Sequence, residues 1–256
     1  MPTFKLTLAY DGTNYVGWQR QAAGTSVQGL IEDALRELDG RQVTLHGAGR
    51  TDAGVHALGQ VASCALDREI QSDVLMRALN AQLPGDVRVV SAEAVAPDFH
   101  ARFGARAKTY RYRIYNTDVL SPFERHYAWH VFGPLDVEAM DAAARSLEGR
   151  HDFTAFQTAG GTLRTAERTV MRSRVKRSIT EDARESGGDL IVYEITGDGF
   201  LRHMVRAIVG TLVDVGRGRR PSEEMRDVLA SCDRARAGPT APAWGLFLVG
   251  VEYGDL

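Results

Sequence analysis

The sequence predicts an α+β fold in which a βαββαβ order is run through twice. Three features of the 256-residue chain carry this expectation: short alternating apolar runs, stretches of helical spacing between them, and the same succession of the two in each half. The first half opens on an alternating strand from Phe4 to Tyr10. A helix follows from Ser26 to Leu38, with Ser26 suited to accept an unpaired backbone N–H as N-cap. Two strands come next, Val43 to Ala48 and Val55 to Leu66. A second helix begins at Ser72 and stops before Pro84-Gly85, and a strand over Val87 to Val95 closes the set.

The order then begins again. Alternation over Thr109 to Tyr115 predicts a strand, spacing near Val137 to Leu147 a helix, and Thr169 to Ser178 and Leu190 to Thr196 two further strands. An amphipathic helix from Leu201 to Val215, a short helix after Pro221 and an apolar strand from Leu246 to Tyr253 finish the chain. Two tandem ferredoxin-like halves, 1–105 and 106–256, are therefore expected, their strands joined in a mixed, mainly antiparallel sheet with a central cleft on the seam. Such a fold serves many activities, so residues must decide the function.

Composition sets outer bounds. With 44% hydrophobic and 25% charged residues, the chain is an ordinary globular one, long enough to bury roughly 70–75% of its extended surface without disulfide staples. Met1-Pro2-Thr3-Phe4-Lys5 runs straight into the first strand, and no later stretch is long and apolar enough to span a membrane, which reads as a cytoplasmic protein with no membrane partner. Cys64 and Cys232 stand alone, and His126 and His130 sit four apart without the glutamate of a zincin helix, so no metal is expected.

The net charge of -2 argues against a protein wrapped in nucleic acid, yet the cations are unevenly spread. They gather at Arg102, Arg106, Lys108, Arg111 and Arg113; at Arg164, Arg168, Arg172, Arg174, Lys176 and Arg177; and at Arg202, Arg206, Arg217, Arg219 and Arg220. Lys5, Lys108 and Lys176 are the only lysines, so nearly all this charge is guanidinium, which forks phosphates and stacks on bases. An Arg-rich composition accounts for part of it. The run from Arg102 to Arg113, free of acids and interleaved with Phe103, Tyr110 and Tyr112, reads as an RNA contact face.

The densest signal is Gly47-Ala48-Gly49-Arg50-Thr51-Asp52-Ala53-Gly54-Val55-His56-Ala57, where small residues bring one arginine and one carboxylate close to whatever the backbone approaches. A plain β-turn, its aspartate bonded to its own backbone, is the competing reading. The wider pattern favours chemistry. AGRTDAGVHALGQV is accompanied, in order, by YDGTNYVGWQRQ from Tyr10, SVQ at Ser26, NAQLPGDVRV from Asn80, DFHARF from Asp98, KTYRYRIYN from Lys108, DFTAFQ from Asp152, GFLRHMVRAIVGTLVDVG from Gly199 and GLFLVGVEY from Gly245. Together these resemble the tRNA pseudouridine synthases of the TruA type along the length of the chain, although the loop between Leu163 and Gly188 does not align by eye.

That resemblance implies an enzyme that breaks the N1–C1′ bond of uridine, turns the base over and joins C5 to the same ribose carbon. Nothing is added, so no cofactor is needed. By their matched positions Asp52 is implied as the catalytic carboxylate, Tyr110 as the aromatic that stacks on uracil and helps with the C5 proton, and Arg206 as the arginine paired with the aspartate across the cleft. Arg50 is implied beside the flipped nucleotide. Leu246 and Val55 are candidates for pocket wall, with core packing nearly as good an account of both. Alternation puts Tyr112 on the same face as Tyr110, and only the resemblance chooses between them. The implied partners are the anticodon arm of tRNA, at uridines 38, 39 and 40, and a second copy of the chain. Two other readings stand: a non-catalytic RNA-binding module, and an N-glycosidase that releases the base.

Overall fold

The structure, a computed structural model, describes residues 1–158, 165–178 and 189–254, and packing divides the chain into two compact units. The first comprises Met1–Arg106 and the C-terminal strand from Phe247, the second Ala107–Leu246. A division by chain order puts that last strand in the second half; its backbone instead pairs, in parallel, Phe247 with His56 and Leu248 with Ala57.

In the first unit the elements are β1 (Thr3–Tyr10), α1 (Val27–Asp39), β2 (His46–Gly47), β3 (His56–Ala65), α2 (Ser72–Gln82) and β4 (Val87–Val95), with β10 (Leu246–Tyr253) returning from the far end. Strand order is β4-β1-β3-β10, and β2 takes another stretch of β3, His46 opposite Ser63. Alternation on β1 sends Phe4, Leu6, Leu8 and Tyr10 inward, and α1 supplies Val27, Ile31 and Leu35, all buried. Ser26 caps α1 as expected, its hydroxyl accepting from Gly29 N, an interaction worth about 1 kcal/mol.

The expected strand from Val43 to Ala48 shrinks to two residues. Side chains of α1 capture the backbone that would have paired: Leu45 N donates to Glu32 Oε1 at 3.4 Å, and Leu45 O accepts from Gln28 Nε2 at 2.9 Å. Val43 and Leu45 are buried all the same.

The second unit contains β5 (Ala105–Asn116), β6 (Trp129–Val131), α3 (Val137–Arg145), β7 (Gly149–Asp152), β8 (Glu167–Ser178), β9 (Asp189–Gly197), α4 (Met204–Gly216) and α5 (Glu224–Ser231). Its strand order is β5-β9-β8-β7, each pair antiparallel, with β6 parallel to β5. The expected amphipathic helix is α4, and it is not amphipathic in place: every residue except Arg206 is buried. A helix buried all round belongs in the middle of its unit, which makes its one half-buried arginine conspicuous. Of the loop between Leu163 and Gly188, Arg164 and residues 179–188 lie outside the described residues, and Glu167–Ser178 within it forms β8.

Candidate active site

Residues 48–55 form the loop between β2 and β3, and it is held from below and from the side. Asp52 opens a β-turn in which Val55 N donates to Asp52 O at 3.1 Å, with Gly54 left-handed at the third position. The carboxyl-bearing residue is half-buried and Arg50, two residues earlier, is exposed, so one short loop displays both groups. Between them Thr51 points inward. Its hydroxyl meets the Tyr10 hydroxyl at 2.8 Å, and Gln60 Nε2 donates to Gly49 O at 2.8 Å while lying 3.5 Å from the same Tyr10 oxygen. Tyr10, Thr51 and Gln60 are 4%, 6% and 0% exposed, so this is a dry polar network. Burial pushes the Tyr10 phenol up to about 12, more than its hydrogen bonds pull it down, so it stays protonated and able to donate.

The segment after β1 closes over the loop. Trp18 N donates to Thr51 O at 3.0 Å and Gly54 N to Tyr15 O at 3.4 Å. Gly17 has φ +107, and a Cβ there would stand 2.7 Å from Thr51 O and 3.1 Å from the Asp52 carbonyl carbon; only glycine permits this approach. His56, 1% exposed and stacked on Phe247 at 4.6 Å, accepts from Gly12 N through Nδ1 at 3.0 Å. Asp11 Oδ1 lies 3.1 Å from the same nitrogen, but an Nδ1 that accepts from Gly12 has no proton to give it, and Asp11 accepts instead from Thr13 N and Oγ1. Val55 is buried beside these groups, which is pocket floor or core packing.

In the second unit the two strand tyrosines separate. Both face inward on β5, but Tyr112 is 0% exposed and donates its hydroxyl to Pro242 O at 2.8 Å, whereas Tyr110, 7% exposed, sets its ring edge-on to Phe200 at 5.1 Å. Burial raises the Tyr112 phenol far above its ordinary value, against a smaller opposing effect of the Arg206 charge. Arg206 is fixed at both ends: Nε donates to Ala241 O at 2.7 Å, and its carbonyl accepts from Ala241 N at 3.1 Å. Three residues earlier His203 sits in the left-handed region, φ 61, with Nδ1 3.0 Å from Thr158 Oγ1. Leu246 is buried at the start of β10.

The acid-free basic run from Arg102 to Arg113 is less bare than it reads in sequence. Arg111 pairs with Glu194 at 3.0 Å, its cross-strand neighbour on β9, and Arg113 with Glu124 at 2.9 Å. In the other clusters Arg174 pairs with Glu148, Arg177 with Asp189, Arg219 with Asp214 and Arg220 with Glu224. Arg50, Arg102, Arg106, Arg172, Arg202 and Arg217 are exposed. No group of three or more histidine, cysteine or acidic side chains that would hold a metal ion occurs among the described residues. His130 Nε2 lies against Thr117 O at 2.8 Å, a backbone contact.

The sequence profile described as tRNA pseudouridine synthase matches residues 7–104 and 143–254. The chain belongs to that family. It is 49% identical over 255 residues to a tRNA pseudouridine synthase A of Moorella thermoacetica, an overlap covering 99% of this chain and 100% of the relative. It is also 49% identical to one of Myxococcus xanthus, covering 100% of this chain and 93% of the relative, and 47% identical to one of Pelobacter propionicus, covering 99% and 100%. For a member of the tRNA pseudouridine synthase family, the residues that sequence reasoning passed over are Tyr10 and Gln60, the buried supports of the Arg50–Asp52 loop. Gln60 carried a signal, an amide between the apolar pairs Ala57-Leu58 and Val61-Ala62, but only the fold shows that it reaches Gly49 O.

Proposed function

We propose that Asp52 is the carboxylate with which this family member isomerises uridine to pseudouridine in tRNA. The observation that carries the reading is the mounting of Asp52: half-buried on a turn whose neighbour Thr51 is tied into a dry Tyr10–Gln60 network, in a loop that also displays Arg50. Such a mounting suits a group that must meet one ribose carbon or one face of uracil accurately. In the reaction the N1–C1′ bond breaks, a C5–C1′ bond forms, the C5 proton leaves and N1 ends protonated, so no redox partner or added group enters. The detached base must be kept from water meanwhile.

Tyr110 stacks on the uracil and assists removal of the C5 proton in this reading; it is favoured over Tyr112 by the family match and because it is 7% exposed where Tyr112 is 0%. Arg206, at the position that the resemblance gives to the guanidinium partner of the catalytic aspartate, is the half-buried exception on a buried helix. Arg50 steadies the strand from which the target is extruded, a step that costs a few kcal/mol. Leu246 lines the pocket. The tRNA region is the anticodon arm at positions 38, 39 and 40, where one site serving adjacent positions reads shape and phosphates. The working form is a cytoplasmic homodimer; no helix among the described residues is long and apolar enough to cross a membrane. The β4-β1-β3 order with β2 on the far side of β3 supports a ferredoxin-like first half.

Asp52→Asn keeps shape and removes charge. Turnover is expected to fall by at least about 10³-fold, while tRNA affinity persists or tightens slightly as one negative charge leaves a surface facing a polyanion. Tritium release from tRNA labelled at uridine C5, with nucleoside mass analysis on the same folded preparation, measures this. Residual activity within tenfold of the parent overturns the assignment of Asp52, unchanged RNA with the parent protein favours a binding module, and free uracil with an abasic site favours a glycosidase.

A further inference from the structure

Outside the Asp52 loop, the first unit carries a ladder of rings on its surface. His46 on β2 lies 4.7 Å from His100, centroid to centroid, and His100 lies 4.4 Å from Phe103, with planes tilted by 31° and 38°. The Arg102 guanidinium is 5.7 Å over the Phe103 ring. Phe103 ends the ladder and is 78% exposed, which leaves its ring open to a partner.

The display is rigid. Ala101, 0% exposed, is held at both backbone groups, its N donating to Ser63 Oγ at 3.1 Å and its O accepting from Tyr253 OH at 2.7 Å. His100 Nδ1 accepts from Arg102 N at 3.1 Å and Phe103 N at 3.4 Å, which requires that nitrogen to be unprotonated. Burial, and next the charge of His46, lower the basicity of His100 below the ordinary histidine value, which favours that state. Gly104 N returns to His100 O at 2.9 Å and completes the turn.

The surroundings select the kind of partner. From Phe99 to Arg113 the chain contains Arg102, Arg106 and Lys108 and no carboxylate, and the ring's companions are imidazoles and a guanidinium, a setting that suits a polyanion with flat bases. Aromatic faces beside arginine are what unpaired nucleobases stack on. His46 is six residues from Asp52, a separation that even a fully extended chain spans in about 20 Å.

We propose that Phe103, backed by His100 and His46 and flanked by Arg102, is a stacking site for an unpaired base of the RNA substrate, distinct from the position taken by the target uridine. The proposal rests on the reading of the chain as a pseudouridine-forming enzyme on tRNA. Base stacking on an aromatic side chain has a known size, so Phe103→Ala is expected to weaken tRNA binding roughly 5- to 150-fold, about 1–3 kcal/mol at 1.4 kcal/mol per decade, with the loss falling on KM more than on kcat. Phe103→Trp restores binding and adds an indole whose emission tRNA quenches.

Affinity, KM, kcat and sedimentation are measured on the full chain for the parent and both variants. Phe103→Ala binding within twofold of the parent overturns the proposal, and so does a tRNA-induced emission change in Phe103→Trp no larger than that of the parent, whose Trp18, Trp129 and Trp244 set the background. A change of oligomeric state in Phe103→Ala with RNA affinity intact assigns the ring to a protein contact and overturns it equally. If the parent forms no pseudouridine in tRNA, the underlying reading fails instead, an outcome distinct from all of these.

Discussion

Tyr110 and Tyr112 sit two residues apart on one face of one strand, and chemistry that alternation cannot see distinguishes them. Tyr112 is sealed, with its hydroxyl on Pro242 O and its ring edge-on to Trp129 at 6.4 Å. Replacing it by phenylalanine removes one hydrogen bond and is expected to cost about 0.5–1.5 kcal/mol of stability, read by denaturant unfolding. Tyr110 belongs to the proposed reaction. Tyr110→Leu, which loses ring and hydroxyl, is expected to lower turnover by at least about 10²-fold, and Tyr110→Phe, which keeps the ring, by less if stacking dominates and equally if proton removal does. Turnover of both variants at the parental rate shows that the residue is misassigned. In sequence only the KTYRY match separates the two; the partner of Tyr112 lies 130 residues away and belongs to the fold alone.

At the scale of elements, the loop from Ala48 to Val55 works through what clamps it. The segment after β1 meets it backbone to backbone at Gly17, where a side chain has no room. Gly17→Ala combines a left-handed backbone with a Cβ 2.7 Å from Thr51 O, so it is expected to destabilise the protein by about 1–3 kcal/mol and to shift the Asp52 turn. Turnover at saturating tRNA then falls more than tRNA affinity does. Gly40→Ala is the control: Gly40 is also left-handed, φ 73, at the C-cap of α1, but no atom lies within 4 Å of the added methyl group. It is expected to cost about 1 kcal/mol of stability and leave turnover as it is. A Gly17→Ala protein with parental turnover removes the clamp from the account. These elements were largely legible, because Ser26, the Pro84-Gly85 stop and the alternation of β1 are local signals. The strand around Val43 was misread because Gln28 and Glu32, on a helix a dozen residues earlier, take its hydrogen bonds.

For the molecule as a whole, charge decides how RNA is held. A net charge of -2 gives no general attraction to a polyanion, so binding rests on local patches. Many of the clustered arginines are neutralised by acids, Arg111 by Glu194 and Arg174 by Glu148 among them, which leaves exposed cations such as Arg50, Arg102, Arg106, Arg172, Arg202 and Arg217 for phosphates. If about four to six phosphates are contacted, the log-log plot of tRNA affinity against salt has a slope of roughly -3 to -5. Titration of tRNA binding between low and physiological salt measures it. A slope near zero excludes these patches as the RNA surface, and one much steeper means that the paired arginines open to take part.

Consecutive residues carry the α+β class, the family and most of the elements, through periodicity, capping residues and the AGRTDAGVHALGQV segment; the short strands β6 and β7, of three and four residues, give no such signal and were not expected. Which strands share an edge is set by the fold, so that β10, last in the chain, pairs with β3. The fold also decides which arginines face acids, and which buried side chains hold the Asp52 loop: Tyr10 reaches Thr51 across 41 positions, and Gln60 reaches back 11 to Gly49. The physical reason is the same in each case. Helices and single strands satisfy signals a few residues long, whereas the net worth of a hydrogen bond or ion pair depends on burial and on a partner that the chain supplies from a distant segment.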